Sequence, residues 1–418
     1  MSEFIIQGGK ALFGELSVQG AKNSALPILG ACVLCGEEII LQDCPKLSDT
    51  YTAFDILKDL GCDAYYENDV VKINCANITG YEITDKLMRE MRSSLMFLGP
   101  ILGRWHKAKI SMPGGCNLGP RRIDLHISAL EKMGVKFTCE KGYFICEAPD
   151  GINGANINLS YPSVGATENI MTAAVLSKGE TILSNAAKEP EIADLQNFLN
   201  SMGANISGAG TDNIRIKGVK KLKGITHKII PDRIAAATYI NAIIATGGEG
   251  IVKNVHPPHL TAFLAALSDA DCRLNWTDDI IYIKKTPKLK PVEIITMPYP
   301  GFPTDAQSIM MALMCTAAGN KSSSFNETIF EARYNHVDEL IRMGAKIHVN
   351  GSTAVVDGVE KLSGASVRAD DLRGGAALII AGLAAEGETK IQNIFHIERG
   401  YDIIDVHLRE LGANIIRM

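Results

Sequence analysis

One phrase recurs along the chain at nearly constant intervals, and it restricts the possible folds more than any other feature. Leu60-Gly61-Cys62, Met133-Gly134-Val135, Met202-Gly203-Ala204, Met343-Gly344-Ala345 and Leu411-Gly412-Ala413 each follow a helix-like segment, and Ala270-Asp271-Cys272 is a degenerate copy. The steps between their first residues are 73, 69, 68, 73 and 68, so six units of about 70 residues fill the 418-residue chain. Gly directly after a helix supplies the left-handed residue that ends it.

Each unit reads alike. A short extended piece leads into an apolar helix that ends at a turn, as in Thr167–Leu176 and Ala376–Ala385. A strand follows, then a second helix that ends at the recurring phrase, such as His336–Met343. Two strands around a turn close the unit, as in Lys346–Val349 and Ala354–Val356. The first helices, Ser24–Leu34 and Ala235–Ala245 among them, are apolar on every side and must be buried all round. The second helices carry a charged face, with Asp55, Lys58 and Asp59 in one and His407, Arg409 and Glu410 in another. The expected architecture is an inside-out α/β barrel. Buried helices are surrounded by strands and amphipathic helices, the reverse of a TIM barrel.

The sixth unit stops after one strand, Asn414–Met418, while the N-terminus opens with an unassigned strand, Glu3–Gln7, and then Leu12 to Val18. That second piece is similar to Leu362–Val367 and Leu222–His227 in other units, so the first 20 residues are expected to complete the sixth unit. Three units per domain gives a domain of residues 21–230 and a second of 1–20 plus 231–418. Two chain crossings between them suit a hinge and a closing cleft that holds the site.

The starts of the first helices carry charge at equivalent positions. Lys22 with Asn23, Arg92, Arg233 and Arg373 give cations at four of six starts, and Asp305 occupies a fifth. Positive charge opposes the helix dipole there, so its recurrence points to a multiply anionic ligand. Starts of the second helices add Cys116 and Arg121, Glu189 and Glu191, Arg333 and Arg399. Pro113 to Arg122 is Gly- and Pro-rich, and so is neither helix nor central strand. It sets the thiol of Cys116 beside Arg121 and Arg122, ahead of a helix-like segment from Ile123 to Met133.

Other classes fit poorly. A net charge of −5 argues against a general nucleic-acid or anionic-membrane binder. There is no GxxxxGK[ST] loop, no GxGxxG between strand and helix, and no GxSxG elbow. No apolar run has the length of a membrane span, and the N-terminus has no signal-peptide pattern, so a cytoplasmic protein with reduced thiols is expected. Cys32 and Cys35 have CxxC spacing without a second pair and read as a buried helix face. His256 and His259, around two prolines and without a clear third ligand, read as a turn.

The motifs Gly20-Ala-Lys-Asn-Ser-Ala25, Pro113-Gly-Gly-Cys116, Arg121 with Asp124-Leu-His126, Ser163-Val-Gly-Ala-Thr167, Phe302-Pro-Thr-Asp305, Asp371-Leu-Arg373 and Arg399-Gly-Tyr401 arrive in order along the whole chain. In these the sequence resembles the UDP-N-acetylglucosamine enolpyruvyl transferases, a family similar to the enolpyruvylshikimate-phosphate synthases. The resemblance implies transfer of enolpyruvyl from phosphoenolpyruvate to the 3′-hydroxyl of UDP-N-acetylglucosamine, with phosphate released and no metal or organic cofactor. It implies that Lys22 and Asn23 contact phosphoenolpyruvate and that Arg121 and Arg399 clamp its phosphate and carboxylate. Arg92, Arg121, Arg122, Ile123, Asp124, Leu125, Ser163, Val164, Gly165, Asp305 and Ile329 would line the UDP-sugar site, with Arg333 and Arg373 in the cleft. Cys116 would be the proton donor, open to alkylation by fosfomycin, and Asp305 the base. Arg122 departs from the usual Pro, Tyr161 from a Lys and Tyr299 from a His found in some members. A shikimate-type acceptor and a protein that only binds UDP-sugar are the competing readings.

Overall fold

The computed structural model describes residues 2–111 and 123–418. Six four-stranded sheets form, all on one plan. In the third repeat, Asn156–Asn158 runs parallel to Glu180–Ser184, Asn213–Lys217 lies antiparallel on its other side, and Asn205–Ser207 forms the far edge. The parallel pair needs a crossover, and the apolar helix Val164–Ala174 provides it. The second and fifth repeats build the same order from their own residues.

The other three repeats each take a strand from elsewhere. Thr226–Lys228 leads the sheet of the first repeat, parallel to Ile39–Gln42. Phe13–Ser17 leads that of the fourth, parallel to Glu249–Lys253. Glu3–Gln7 lies between Glu388–Gln392 and Asn414–Arg417 in the sixth, antiparallel to both. The expectation that the first 20 residues complete the sixth repeat is therefore corrected. Only residues 3–7 do so, and residues 13–17 join the fourth. The leading place of the fourth repeat is open because the strand before its helix, Thr226–Lys228, is used by the first.

The chain divides into two compact units, residues 2–19 with 231–418 and residues 20–111 with 123–230. At the two crossings, Asp232 N–H donates to Gln19 O (2.9 Å) in one unit and Ala21 N–H donates to Ile230 O (2.7 Å) in the other. Buried Asp194 reinforces the second closure by accepting from Ser24 Oγ (2.5 Å), His227 Nε2 (3.0 Å) and Ile230 N–H (3.4 Å).

Each unit has its own hydrophobic core. In the unit carrying the C-terminus, three inner helices, Arg233–Ala245, Thr304–Met314 and Leu372–Ala384, pack pairwise on one another. Every residue from Arg233 to Ile244 and from Arg373 to Leu383 is buried, as their apolar surroundings require. Each buried Leu or Ile contributes about 1.5–3 kcal/mol. Strands such as Thr353–Asp357 and Glu388–Gln392 cover them with alternate residues buried and exposed.

The recurring helix-end Gly is left-handed at Gly61 (φ 95°), Gly134 (95°), Gly203 (102°), Gly344 (90°) and Gly412 (89°). Asp271 takes the same place at φ 65°, so the degenerate copy makes the same turn with a residue that tolerates it. The inner helix of the second repeat does not start at Arg92. Arg92–Phe97 is a 3-10 turn, and the α-helix is Leu98–Trp105. Pro100 suits its third position, where a missing N–H leaves no bond unmade. Gly99 lets this helix meet the next, because a side chain there would stand 2.3 Å from the carbonyl oxygen of Asn169.

One expectation about the thiols is also corrected. Cys62 and Cys75 form a disulfide, since the hairpin register Asp63↔Asn74 sets the flanking residues opposite each other. Cys32 and Cys35 are buried against apolar neighbours. No helix among the described residues is long and apolar enough to cross a membrane.

The central place of Glu3–Gln7 has a measurable consequence. Ile6 is fully buried, whereas Ile416 of the neighbouring strand is 52% exposed. Ile6→Ala is expected to destabilise that unit by about 2–5 kcal/mol in urea unfolding, against about 0.5 kcal/mol or less for Ile416→Ala. Equal effects would mean that the N-terminal strand is not integral to the sheet.

Candidate active site

Because the three inner helices of the C-terminal unit pack side by side, the residues at their starts come together. Asp305, in the first turn of Thr304–Met314, is held by two arginines. Arg333 Nη2 lies 2.7 Å from Oδ1, and Arg373 Nη2 lies 3.1 Å from Oδ2. The arginine side chains are only 3% and 5% exposed, and that of Asp305 is 28% exposed. Burial would raise the Asp305 carboxyl, but Arg373, Arg333 and Arg233 outweigh it and hold the group ionised well below the usual carboxylate range.

Each arginine is itself fixed. Arg333 donates to Thr304 O (3.2 and 3.1 Å) and lies over the ring of Phe330. Arg373 donates to Tyr401 Oη (3.3 Å), which is bonded in turn to Thr238 Oγ1 (2.7 Å). Burial disfavours charge on Arg373, yet Asp305 and then Tyr401 raise its pKa above the ordinary value. The backbone around it is set by Asp371, which caps its helix by accepting from the N–H groups of Arg373 and Gly374. Asp232 caps Arg233–Ala245 in the same way.

Buried Glu327 organises the neighbouring loop. Its Oε1 accepts from Thr296 Oγ1 (3.0 Å), Ile329 N–H (2.8 Å) and Phe330 N–H (3.1 Å), and its Oε2 accepts from Thr304 Oγ1 (3.0 Å). Ile329, half-buried, is thereby held near the start of the Asp305 helix. His336 is buried beside this loop, and burial pushes its imidazole down to about 4 against the pull of Asp371.

The other unit carries a second set. Lys22 opens the helix Lys22–Ala31, and its ammonium is 2.7 Å from the carboxylate of Asp49, both side chains buried. Asn23 is half-buried beside it. Ser163 caps Val164–Ala174 by accepting from Ala166 N–H (3.3 Å), with Val164 and Gly165 in the first turn. Ile123 and Leu125 flank an exposed Asp124 at the start of Asp124–Lys132. His126 follows them inward, and its Nδ1 is 2.8 Å from Asn169 Nδ2. Burial pushes His126 down to about 4, with Asp124 opposing. Burial raises the Glu168 carboxyl well above its ordinary value, and Glu191 and Glu189 add to this.

Asp305, Arg333 and Arg373 are thus brought together, with Ile329 close by in the same unit. Lys22, Asn23, Ile123 to Leu125 and Ser163 to Gly165 lie at helix starts of the other unit, and Arg399 ends the 3-10 segment Ile394–Arg399. Cys116, Arg121 and Arg122 lie outside the described residues, and so does the side chain of Arg92. Asp49, Glu327 and Asn169 were missed in the sequence. Asp49 stands at the start of a second helix, so extending that comparison to the first repeat finds it. Glu327 and Asn169 carry no sequence signal, because groups distant along the chain converge on them: the hydroxyls of Thr296 and Thr304 on Glu327, and Leu95, Gly99 and His126 on Asn169. The rings of His256 and His259 meet edge to face, 4.2 Å between centroids, at a short 3-10 turn, and no group of three or more possible metal ligands forms among the described residues.

This fold is found in the enolpyruvyl transferase NikO from Streptomyces tendae, with a TM-score of 0.90, 23% identity, and coverage of 100% of this chain and 99% of that one. It is found again in the EPSP synthase of Acinetobacter baumannii, with a TM-score of 0.77 at 16% identity and full coverage of both chains. The architecture is that of the enolpyruvyl transferases. The family described as EPSP synthase (3-phosphoshikimate 1-carboxyvinyltransferase) matches residues 6–407. A relative from Carboxydothermus hydrogenoformans, UDP-N-acetylglucosamine 1-carboxyvinyltransferase 2, is 49% identical over 420 residues, 100% of each chain. The UDP-N-acetylglucosamine 1-carboxyvinyltransferase of Thermotoga maritima is 47% identical over 416 residues, covering 99% of this chain and 98% of that one. The chain belongs to the EPSP synthase family of carboxyvinyl transferases, and it is an enzyme of that class.

The Asp305 pair predicts a pH dependence. Its folded pKa is depressed, so its contribution to stability is full above the unfolded carboxylate value near 4 and declines as pH falls below that. Asp305→Asn is expected to lower the urea midpoint at pH 7, with the gap to the unsubstituted protein narrowing below about pH 4. A gap that does not change with pH would contradict the ion pairs.

Proposed function

We propose that the chain transfers enolpyruvyl from phosphoenolpyruvate to the 3′-hydroxyl of UDP-N-acetylglucosamine and releases phosphate. This is the first committed step of peptidoglycan synthesis, in the cytoplasm. The observation that carries the reading is the ionised Asp305 carboxylate between Arg333 and Arg373 at the starts of buried helices, in a chain 49% identical to a relative named for that reaction.

The residue types suit the chemistry. Phosphoenolpyruvate carries a phosphate and a carboxylate around an electron-rich alkene. Lys22, Asn23, Arg121 and Arg399 are assigned to these anions, neutralising them and stabilising developing charge. Cys116 gives its thiol proton to the methylene carbon while the sugar oxygen bonds to the ester carbon. Asp305 takes the hydroxyl proton. The tetrahedral ketal then loses a methyl proton and phosphate, which restores the alkene on the new ether oxygen.

A carboxylate held so far below its usual range is a weak base. Anionic substrate beside Arg373 and Arg333 offsets their pull, so the basicity of Asp305 recovers when the site is charged with phosphate and carboxylate. Arg92, Arg122, Ile123, Asp124, Leu125, Ser163, Val164, Gly165 and Ile329 are assigned to the UDP-sugar.

Phosphate release with phosphoenolpyruvate plus UDP-N-acetylglucosamine is the direct test, with a shikimate-type acceptor as the control. Release with the control alone would overturn the acceptor assignment, and UDP-sugar binding with no release would leave a binding protein. Asp305→Ala is expected to lower turnover at least about 10²–10⁴-fold while leaving UDP-sugar binding largely intact. Near-normal turnover removes Asp305 as the base. Fosfomycin is expected to alkylate Cys116, and mass spectrometry that finds label only on other cysteines rejects the thiol assignment.

A further inference from the structure

In two repeats the approach to the leading strand is tied to the turn after the inner helix by a pair of backbone bonds. In the third, Gly154 N–H donates to Lys178 O (2.7 Å) and Lys178 N–H donates to Ile152 O (2.9 Å). In the sixth, Gly364 N–H donates to Glu386 O (2.8 Å) and Glu386 N–H donates to Leu362 O (2.8 Å). The fifth repeat keeps the bonds on either side of this pair. Lys290 N–H donates to Ala270 O (3.0 Å) as Asn153 does to Met133, and Ser324 N–H donates to Val292 O (2.9 Å) as Ile182 does to Ala155. The pair itself is missing. Pro291 stands where the others have Gly and has no N–H to give. Ala318 N–H turns back to Thr316 O (3.0 Å) instead. The turn is also longer by two residues. Lys178 to Ile182 and Glu386 to Lys390 are steps of four, and Ala318 to Ser324 is a step of six.

Strand and turn therefore stand apart, and a cleft of about 400 Å³ lies between them. That is within the range of small-molecule sites. Leu289, Pro291 and Ala318 give it an apolar wall. Lys288, Lys290 and Lys321 bring three ammonium groups to it, in a chain whose net charge is −5. Asp271, which replaces the recurring helix-end Gly, also lines the cleft and pairs with Lys290 at 3.1 Å. Lys288 and Lys321 have no acidic partner among the described residues. The N–H groups of Gly319, Asn320 and Lys321 have no acceptor among them either. Two cations without a counter-charge and three unused backbone donors suit a phosphate dianion. All three departures from the repeat, at Asp271, at Pro291 and in the longer turn, meet at this one cleft.

We propose that this cleft binds a small phosphate monoester. Lys288 and Lys321 hold the phosphate, with the N–H groups of the 319–321 turn as further donors, and the carbon body lies on Leu289 and Pro291. Lys290 stays with Asp271 and neutralises a carboxylate that would otherwise repel the ligand. A phosphate dianion matches two ammonium groups, where a monocarboxylate matches one. The site is distinct from that of Asp305. The cleft follows the C-terminal end of Thr304–Met314, and Asp305 lies in the first turn of the same helix. The helix has 11 residues and so a length of about 16 Å. The proposal does not depend on the function proposed above.

The test uses the full-length enzyme and phenyl phosphate, a monoester with an apolar body. Lysines are acetylated at about pH 8, where the ester is a dianion, and the rate at each is read by peptide mass spectrometry. Phenyl phosphate should slow acetylation of Lys288 and Lys321 about threefold or more, with half the effect at about 0.1–1 mM. The exposed Lys58 and Lys86 of the other unit should keep their rates. Inorganic phosphate, which lacks the carbon body, should need about ten times the concentration. Lys288→Gln should abolish the protection of Lys321, because one phosphate bridges both; Lys288 is exposed, so the fold is kept. No protection at about 10 mM ester, equal slowing at Lys58 and Lys86, or an undiminished protection of Lys321 in Lys288→Gln would each overturn the site. Inorganic phosphate as potent as the ester would overturn the contact with the carbon body. Protection by hexaglutamate and not by phenyl phosphate would overturn the proposal in favour of an acidic protein partner.

Discussion

The constraint on which the rest depends is the burial of helices that are apolar on every side. A helix with no polar face offers chemistry only at its ends. In the C-terminal unit, three such helices pack pairwise and gather Arg233, Asp305 and Arg373 at one end. The charges found there follow from the packing behind them. Asp305 keeps its charge in a largely buried setting because two guanidinium groups share its oxygens. Those arginines are oriented by Tyr401, Thr304 and the helix cap Asp371.

The second constraint is the exchange of leading strands. Phe13–Ser17 precedes the helix Lys22–Ala31 in sequence but pairs in the sheet of the fourth repeat, and Thr226–Lys228 does the converse. The sheets of the fourth and sixth repeats are complete only with a strand from residues 2–19, which both crossings separate in the chain from the rest of their unit. The two units therefore cannot be separated by a single cut in the chain. Paired backbone bonds at Gln19–Asp232 and Ala21–Ile230 mark where the chain passes between them.

Much of this was legible in the sequence for identifiable reasons. The helix-end Gly recurs because one left-handed residue is needed at the same point in every repeat, and Asp271 shows that the conformation, not the residue, is what repeats. The charged helix starts were legible because cations there run against the helix dipole and so stand out. The destination of residues 13–17 was not. Strand pairing between segments more than two hundred residues apart leaves no local pattern, and a leading strand looks the same whichever sheet it joins. Glu327 escaped for a similar reason, since an isolated Glu in a loop gives no sign that four donors will converge on it.

By itself the sequence determined the number of repeats, the burial of the first helices, the family and the residue types at the helix starts. All of these rest on local periodicity or on motifs held in short segments. Only the tertiary structure decided which sheet each terminal strand completes, that Arg333 and Arg373 share the carboxylate of Asp305, that Asp49 meets Lys22, and that Asn169 meets His126. These are choices among partners far apart in the chain. They are made by the packing of whole helices and sheets, which brings together groups that no local pattern relates.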